Sequence, residues 1–510
     1  MRLWAKEEAR LVRSRCLNQG YDPFVDPALT LLEARQAQAA WNTLPLKQRL
    51  RVIRRFRHLL ARDAEEIAQS ASDPGARSIS EILTAEILPL ADACRFLERK
   101  GGEILRPRRL GVRGRPCWLW GATSEIRREP FGVVLIIAPS NYPIFLPGVQ
   151  IVQALAAGNA VVLKPGVGGT AAALSLAHRL HQAGLLPGTL RVLPESTDAA
   201  QSAVRMGIDK LVFTGSAETG VQILADIAPG VVPAAMELSG CDAMVVRADA
   251  DLDMVVRALV FGLRLNSGRT CIATRRVIVA RSIATELEGR LSQALATVPR
   301  IKLADARNNR LLPLVSQAIS SGAHLLAGEL HVDRSITAPL VLAGVPLASR
   351  LLKEDLFAPV ISVITASDDS EAVCLVNQCP YGLGASIFSR DVEAAKIIAS
   401  RIAVGNVAIN DLIVPTADPR LPFGGRGLSG FGTTRGSEGL LEMTTLKVIS
   451  LREGTMRPHY DPTNPGDDKL FLNFLTLLHS ERWRPKLSAL VSVCRELLRR
   501  TKTQTQKLNA

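Results

Sequence analysis

The sequence predicts an α/β protein of two doubly wound domains with a projecting β-hairpin, and three observations carry that expectation. Between residues 133 and 213, short strands that are apolar on both faces alternate with helical stretches, the pattern of a parallel sheet covered on two sides. A second alternation of the same kind begins after Gly240. At 510 residues the chain exceeds what one hydrophobic core organises, so two or three domains are expected.

The elements follow in order. From Asp26 to about Leu97 the periodicity is helical, with Leu50, Ile53, Phe56, Leu60 and Ile67 on one face. Residues 106–130 are rich in Arg and place Gly111, Gly114 and Gly121 between β-prone pieces such as Cys117-Trp118-Leu119-Trp120, which predicts an extended hairpin. Val133–Ala138 is a buried-strand run, 146–157 a helix, Ala160–Leu163 a strand and Thr170–Ala183 a helix ended by Gly184. Strands near Leu190–Leu193 and Leu211–Phe213 complete the first half. The second half holds strand Met244–Val246, a helix from about Leu252 to Leu265, strand Arg276–Ala280, strand Val360–Thr365 and helix Val392–Arg401. No linker separates the halves, so the pattern alone puts the boundary near Ser239–Gly240.

Composition narrows the function classes. Hydrophobic residues at 47% and charged residues at 22% describe an ordinary globular chain. The net charge of +14 is concentrated at the ends, with 12 Lys/Arg against 5 Asp/Glu in residues 1–60 and 11 against 6 in 451–510. A nearly neutral middle argues against a nucleic-acid groove through the body. The eight cysteines at 16, 94, 117, 241, 271, 374, 379 and 494 contain no CxxC pair, so neither a zinc site nor a disulfide framework is expected, and reduced thiols point to the cytoplasm. The stretch MRLWAKEEARLVRSR lacks an apolar centre and is not expected to be a secretory signal.

Chemistry gathers at a few positions. FTGSAETG, Phe213 to Gly220, follows a strand and opens a helix, where Gly215 allows a sharp turn and Ser216 with the first helical N–H groups could receive a pyrophosphate. Plain helix capping explains the same residues. Cys271 lies in NSGRTC, a polar, small-residue stretch after a helical segment; an inert buried thiol is the alternative. Glu237 in MELSG closes an apolar strand, where a carboxylate is costly without a partner or a task. Asn141 in PSNYP follows the 133–138 strand, at the end where open α/β sheets place their ligand loops.

The order PSNYP, LKPG, FTGSAETG, MELSG, NSGRTC, EDLFAP and LPFGGRGLSGFG resembles the aldehyde dehydrogenase superfamily over roughly residues 30–450. The 34-residue step from Glu237 to Cys271 agrees with that family, and NSGRTC, the Asn410–Val414 run and RPHYDP are most similar to its class 3, fatty-aldehyde-type branch. The resemblance implies NAD(P)-dependent oxidation of an aldehyde, aliphatic and of medium or long chain, to the acid. Cys271 would be the nucleophile, Glu237 the general base for thioester hydrolysis, and the Asn141 amide with the Cys271 N–H the oxyanion donors. For NAD or NADP, it implies Lys164 on the adenosine ribose, Gly215, Ser216 and Gly220 at the pyrophosphate, and Asp355 and Phe357 at the nicotinamide end. It also implies a cofactor domain of 1–110 and 132–239, an oligomerisation arm of 111–131 and 421–450 joining a homodimer, and a catalytic domain of 240–420.

The chain departs from the family at several places. The aromatic residue expected before Asn141 is Ser140, and MELSG carries Ser239 where glycine is usual. The carboxylate expected three residues after Lys164 is Val167, which removes a ribose acceptor and a repulsion toward a 2′-phosphate, so NADP use is expected to be open. Asp355 is a methylene shorter than the usual glutamate. Arg269, two residues before the nucleophile, either steadies a thiolate or faces solvent. Residues 451–510 form a helical extension with Leu487, Leu490, Val491, Cys494, Leu497 and Leu498 on one face and Lys486, Arg495, Arg499 and Arg500 largely off it. That face suits peripheral contact with an anionic membrane, or packing on the protein or a partner. The competing functions are a reductase running from an activated acyl group and a catalytically silent scaffold.

Overall fold

The computed structural model describes residues 27–71, 77–303, 305–331, 333, 335–455, 457–460, 462–463 and 466–508. The basic amino-terminal segment, with Cys16, lies outside them, as do the side chains of Arg499 and Arg500. The chain divides into two compact units, Met1–Arg109 with Glu125–Ile449, and Leu110–Ser124 with Ser450–Ala510.

In the larger unit the predicted alternation becomes a six-stranded sheet. Its order is Gly430–Phe431, Ala234–Leu238, Lys210–Gly215, Val133–Ile137, Ala160–Lys164, Leu190–Val192. All neighbours run parallel except Gly430–Phe431. Val133–Ile137 shows why these residues form strands: Val134 and Ile136 enter one core layer and Val133, Leu135 and Ile137 the opposite one. A strand buried on both faces has no use for polar alternation. Helices Phe145–Ala157 and Thr170–Gln182 cover the first layer, together with an amino-terminal array that includes Leu46–Arg62 and Leu88–Ile104.

From Val133–Ile137 the chain adds strands outward on one side through Ala160–Lys164 and Leu190–Val192, then returns to add Lys210–Gly215 and Ala234–Leu238 on the other. The reversal opens a crevice at the carboxyl ends of the two central strands, the place where open α/β sheets bind ligands. Pro139–Asn141 and Gly215–Ser216 leave the sheet there.

Residues 239–241 lead into an eight-stranded sheet ordered Ile301–Lys302, Ile336–Ala343, Val360–Ala366, Thr274–Ala280, Asp242–Val246, Gly384–Phe388 and Asn406–Ile409, with His324–Leu330 paired to Ile336–Ala343. Core layers lie on both faces, with Val245 and Ile278 in one and Met244 and Val277 in the other.

The predicted hairpin differs in detail. Ala122–Pro130 is a strand between Arg108–Leu110 and Thr444–Arg452 in a three-stranded sheet, so its main partner comes from far along the chain. Cys117–Leu119, expected to be extended, is a 3₁₀ turn that starts after Pro116. The segment Leu421–Gly432, expected as part of an intersubunit arm, supplies Gly430–Phe431 to the six-stranded sheet of its own chain.

In the smaller unit, helices Asp467–His479 and Trp483–Leu508 pack on each other, and Ala489 and Val493 are buried. No helix among the described residues is long and apolar enough to cross a membrane.

Candidate active site

A cavity of about 220 Å³ opens at the crevice. Asn141, Glu237, Cys271, Gly215, Ser216, Asp355 and Phe357, which sequence reasoning had singled out separately, all line it. Lys164 and Gly220 lie outside that lining.

Cys271 is half-buried at the end of a strained turn. Asn266 and Ser267 both adopt left-handed backbone (φ 48° and 51°), followed by Gly268 at φ 69°. Hydrogen bonds from several elements hold this turn. The Asn266 N–H donates to Glu81 (2.7 Å), its amide donates to the Asn141 carbonyl (2.8 Å), and the Tyr142 and Thr270 hydroxyls meet at 2.6 Å. Buried Arg275 gathers the carbonyls of Gly268 (2.7 Å), Thr270 (3.3 Å) and Ala358 (2.7 Å). Burial pushes the Cys271 thiol up, as do the nearby charges of Glu237 and Asp242, while Arg435 pulls it down. Arg269 folds back on the turn, its Nε donating to the Asn266 carbonyl at 3.2 Å.

Asn141 is buried on the loop between strand Val133–Ile137 and helix Phe145–Ala157. Its Nδ2 donates to the Arg269 carbonyl at 2.9 Å, which uses one of two amide protons and leaves the second. Beneath it, buried Glu86 accepts from the N–H groups of Ile144 (2.7 Å) and Phe145 (3.0 Å) and pairs with Arg77 at 2.7 Å. A carboxylate at those free N–H groups fixes the start of the helix and hence the Asn141 loop.

Glu237 is buried on strand Ala234–Leu238. The Thr434 hydroxyl lies 2.8 Å from its Oε2, and its Oε1 has no partner among the described residues. Burial raises its pKa, opposed by Arg435 and Thr434. The final glycine-rich motif explains this support: Gly430 pairs opposite Glu237, and a Cβ there would lie 1.9 Å from the Met236 carbonyl, so only glycine lets the strands close. The Ser429 hydroxyl then donates to the Ser239 carbonyl at 2.7 Å.

The dinucleotide-facing residues fit a cofactor in part. Helix Ala217–Ile227 points its amino terminus at the crevice, but the Ser216 hydroxyl is spent capping it, accepting from the Thr219 N–H at 3.2 Å. Backbone N–H groups of that first turn are therefore the available anion donors. Gly220 serves close packing, since a Cβ would lie 2.7 Å from a Leu238 methyl. Asp355 accepts from the Phe357 N–H at 3.1 Å and so sets the turn that presents Phe357 at φ 43°. Lys164 is half-buried, and its lowered pKa reflects burial opposed by Glu195.

Three features were missed. Arg310 lines the cavity from a helix with no local signal. Thr434 and Arg435 stand beside Glu237, brought there by a pairing about 200 residues distant in sequence. Glu195 places Oε2 2.8 Å from the Gly168 N–H and 3.1 Å from the Thr170 hydroxyl, beside the exposed Val167. A carboxylate therefore stands against the turn that carries Val167. Among the described residues no group of His, Cys, Asp or Glu comes together that could hold a metal.

The comparisons with known proteins agree on one family. A model described as the aldehyde dehydrogenase family matches residues 26–449. The chain is 30% identical over 476 residues to the 4,4'-diapolycopene aldehyde oxidase of Methylomonas sp, covering 91% of this chain and 89% of that one. It is 31% identical to the geranial dehydrogenase of Castellaniella defragrans, covering 86% and 92%. An NAD+ complex of an aldehyde dehydrogenase from Bacillus cereus superposes with a TM-score of 0.76 at 25% identity, covering 83% of this chain and 88% of that one.

Proposed function

This chain belongs to the aldehyde dehydrogenase family, and from that premise we propose that, as an NAD(P)-dependent aldehyde dehydrogenase, it oxidises a medium- or long-chain apolar aldehyde to the acid through a thioester on Cys271. The observation that carries this reading is the convergence of Cys271, Glu237 and Asn141 on one cavity.

The Cys271 thiolate adds to the aldehyde carbon, and the oxyanion of the hemithioacetal accepts hydrogen bonds from the second Asn141 amide N–H and the Cys271 N–H. When bound, the nicotinamide cofactor supplies the hydride acceptor that makes the thioester. Glu237 then removes a proton from water, which attacks the thioester carbon and releases the acid and the thiolate. Its unpartnered Oε1 is the acceptor for that water, and Thr434 holds the other oxygen. The first-turn N–H groups of helix Ala217–Ile227 would hold the pyrophosphate, Lys164 and Glu195 the adenosine ribose, and Asp355 and Phe357 would border the nicotinamide end. With Glu195 in the place of the carboxylate absent at Val167, NAD is the preferred cofactor.

The apolar substrate class is supported by relatives named for a diapolycopene aldehyde and for geranial, and the fatty-aldehyde-type motifs agree with it. A panel of aldehydes from acetaldehyde to long polyenes, followed by NAD(P)H formation, tests it. Turnover is expected to favour the long apolar members and to fall at least about 10³-fold in Cys271→Ala. Preference for acetaldehyde would reject the substrate, and an active Cys271→Ala the mechanism.

Two partners follow. Thr444–Arg452 is an edge strand with Leu446, Val448 and Leu451 exposed, which suits a second copy in a homodimer. The extension exposes Phe471, Leu475 and Leu478 on one helix and Trp483, Leu487, Leu490, Val491 and Leu497 on the next, with Arg482, Arg484 and Arg495 also exposed. An anionic membrane surface matches that chemistry. Flotation of the full chain with phosphatidylglycerol vesicles, but not with phosphatidylcholine alone, is the expected result; absence from both would reject it.

A further inference from the structure

Arg435 is a buried cation without an ion pair among the described residues, held in a backbone conformation that disfavours it. It is 7% exposed, with its guanidinium 4.2 Å from the Phe423 ring centre and 4.9 Å from that of Phe145. Nη1 donates to the Thr416 carbonyl at 2.7 Å. Its φ of 65° with ψ of 172° lies in a region that is almost reserved for glycine, and such strain persists where surrounding structure enforces it.

The surroundings point to what the charge serves. Thr434, one residue earlier, holds the Glu237 carboxylate at 2.8 Å. Phe423, under the guanidinium, shares a small apolar cluster with Cys271. Buried charges need compensation, and the acidic groups that act on Arg435 are Glu237 and Cys271. We propose that Arg435 is a positioning residue whose buried charge eases the ionisation of Cys271 and Glu237 against the burial that opposes it.

This rests on the proposed roles of those two residues. The other charged or titratable groups around Cys271 are Glu237 and Asp242, which oppose the thiolate, Arg275, which is turned onto three backbone carbonyls, the Tyr142 phenol, and Arg310 and Asp355, which line the same cavity. At Cys271, Arg435 is the cation that works against the two carboxylates.

The test is the pH dependence of Cys271 alkylation by iodoacetamide in the full chain without cofactor, followed by mass spectrometry of the Cys271 peptide. In Arg435→Gln the inflection is expected to move alkaline by at least one pH unit, about a tenfold slower reaction on the rising limb. Arg435→Lys should stay near the parent. Arg435→Gly suits the backbone and removes the charge, so it should shift as Gln does and covers the case in which Gln fails to fold. Coincident profiles for the parent and the uncharged variants would overturn the proposal, as would a lysine variant that shifts as far as glutamine. An active Cys271→Ala would instead sink the thioester reading itself, so the two failures are distinguishable.

Discussion

At the Cys271 end of the cleft the segments that carry Asn141, Cys271 and Glu237 are braced by bonds from several elements, whereas at the Lys164 end the expected carboxylate is absent at Val167 and Glu195 arrives from another loop. Asn141 is held at its amide and its carbonyl, the Cys271 turn by Glu81, Tyr142 and Arg275, and Glu237 by Thr434. Glu195 reaches its place through two hydrogen bonds to the 168–170 turn. The difference follows from what each end must do. Bond making tolerates errors of only tenths of an ångström, so its groups are over-determined. Recognising a ribose hydroxyl needs an acceptor within reach, and more than one loop can supply it.

After Cys271 itself, the largest effect expected is at Glu237. Glu237→Gln keeps the shape and the Thr434 contact but removes the base, so the acyl-enzyme should accumulate. Rapid-mixing experiments should show a burst near one NAD(P)H per site, followed by turnover lowered by about 10²- to 10⁴-fold. Burial raises the Glu237 pKa, so the carboxyl is protonated as pH falls and the parent loses turnover on that acid limb. The glutamine variant should lack the limb. Equal acid limbs in both would mean that the base lies elsewhere.

Anchoring at the reacting end also predicts a cost in stability. Glu86→Ala leaves Arg77 and the N–H groups of Ile144 and Phe145 without their buried acceptor, which should destabilise the fold by about 3–5 kcal/mol in urea unfolding. Because those N–H groups open the helix after Asn141, activity per folded molecule should fall as well. Unchanged stability would show that the over-determination is only apparent.

What the sequence displayed, and what it concealed, follows the same division. Strands such as Val133–Ile137 and Thr274–Ala280 announce themselves because burial on both faces leaves continuous apolar runs. Cys271, Glu237 and Asn141 could be read from motif order, and the fold brings them to one cavity. Cys117–Leu119 looked β-prone and is a 3₁₀ turn, because residue preference does not supply a pairing partner. Thr434, Arg435 and Glu195 were illegible for a different reason. Each is an ordinary residue whose meaning comes from a long-range approach, across the pairing of Gly430 with Glu237 or across the Gly168–Glu195 bond. Val167, read alone, left NADP use open, and the loop proposed to restore the charge lies 28 residues further on.

That restoration yields the smallest expected effect and the sharpest comparison. A carboxylate beside Lys164 accepts from a ribose hydroxyl and repels the 2′-phosphate of NADP, so Glu195 should favour NAD. Glu195→Gln retains an acceptor for the Gly168 N–H and the Thr170 hydroxyl, and the local turn should persist. Titrating both dinucleotides against tryptophan fluorescence should then show NADP binding gained by about tenfold, equivalent to about 1.4 kcal/mol, with NAD weakened severalfold. Val167→Glu added to that variant should recover the NAD preference from the neighbouring position. If Glu195→Gln moves both cofactors equally, the carboxylate is only a helix cap, and the Lys164 end is as rigidly specified as the reacting end.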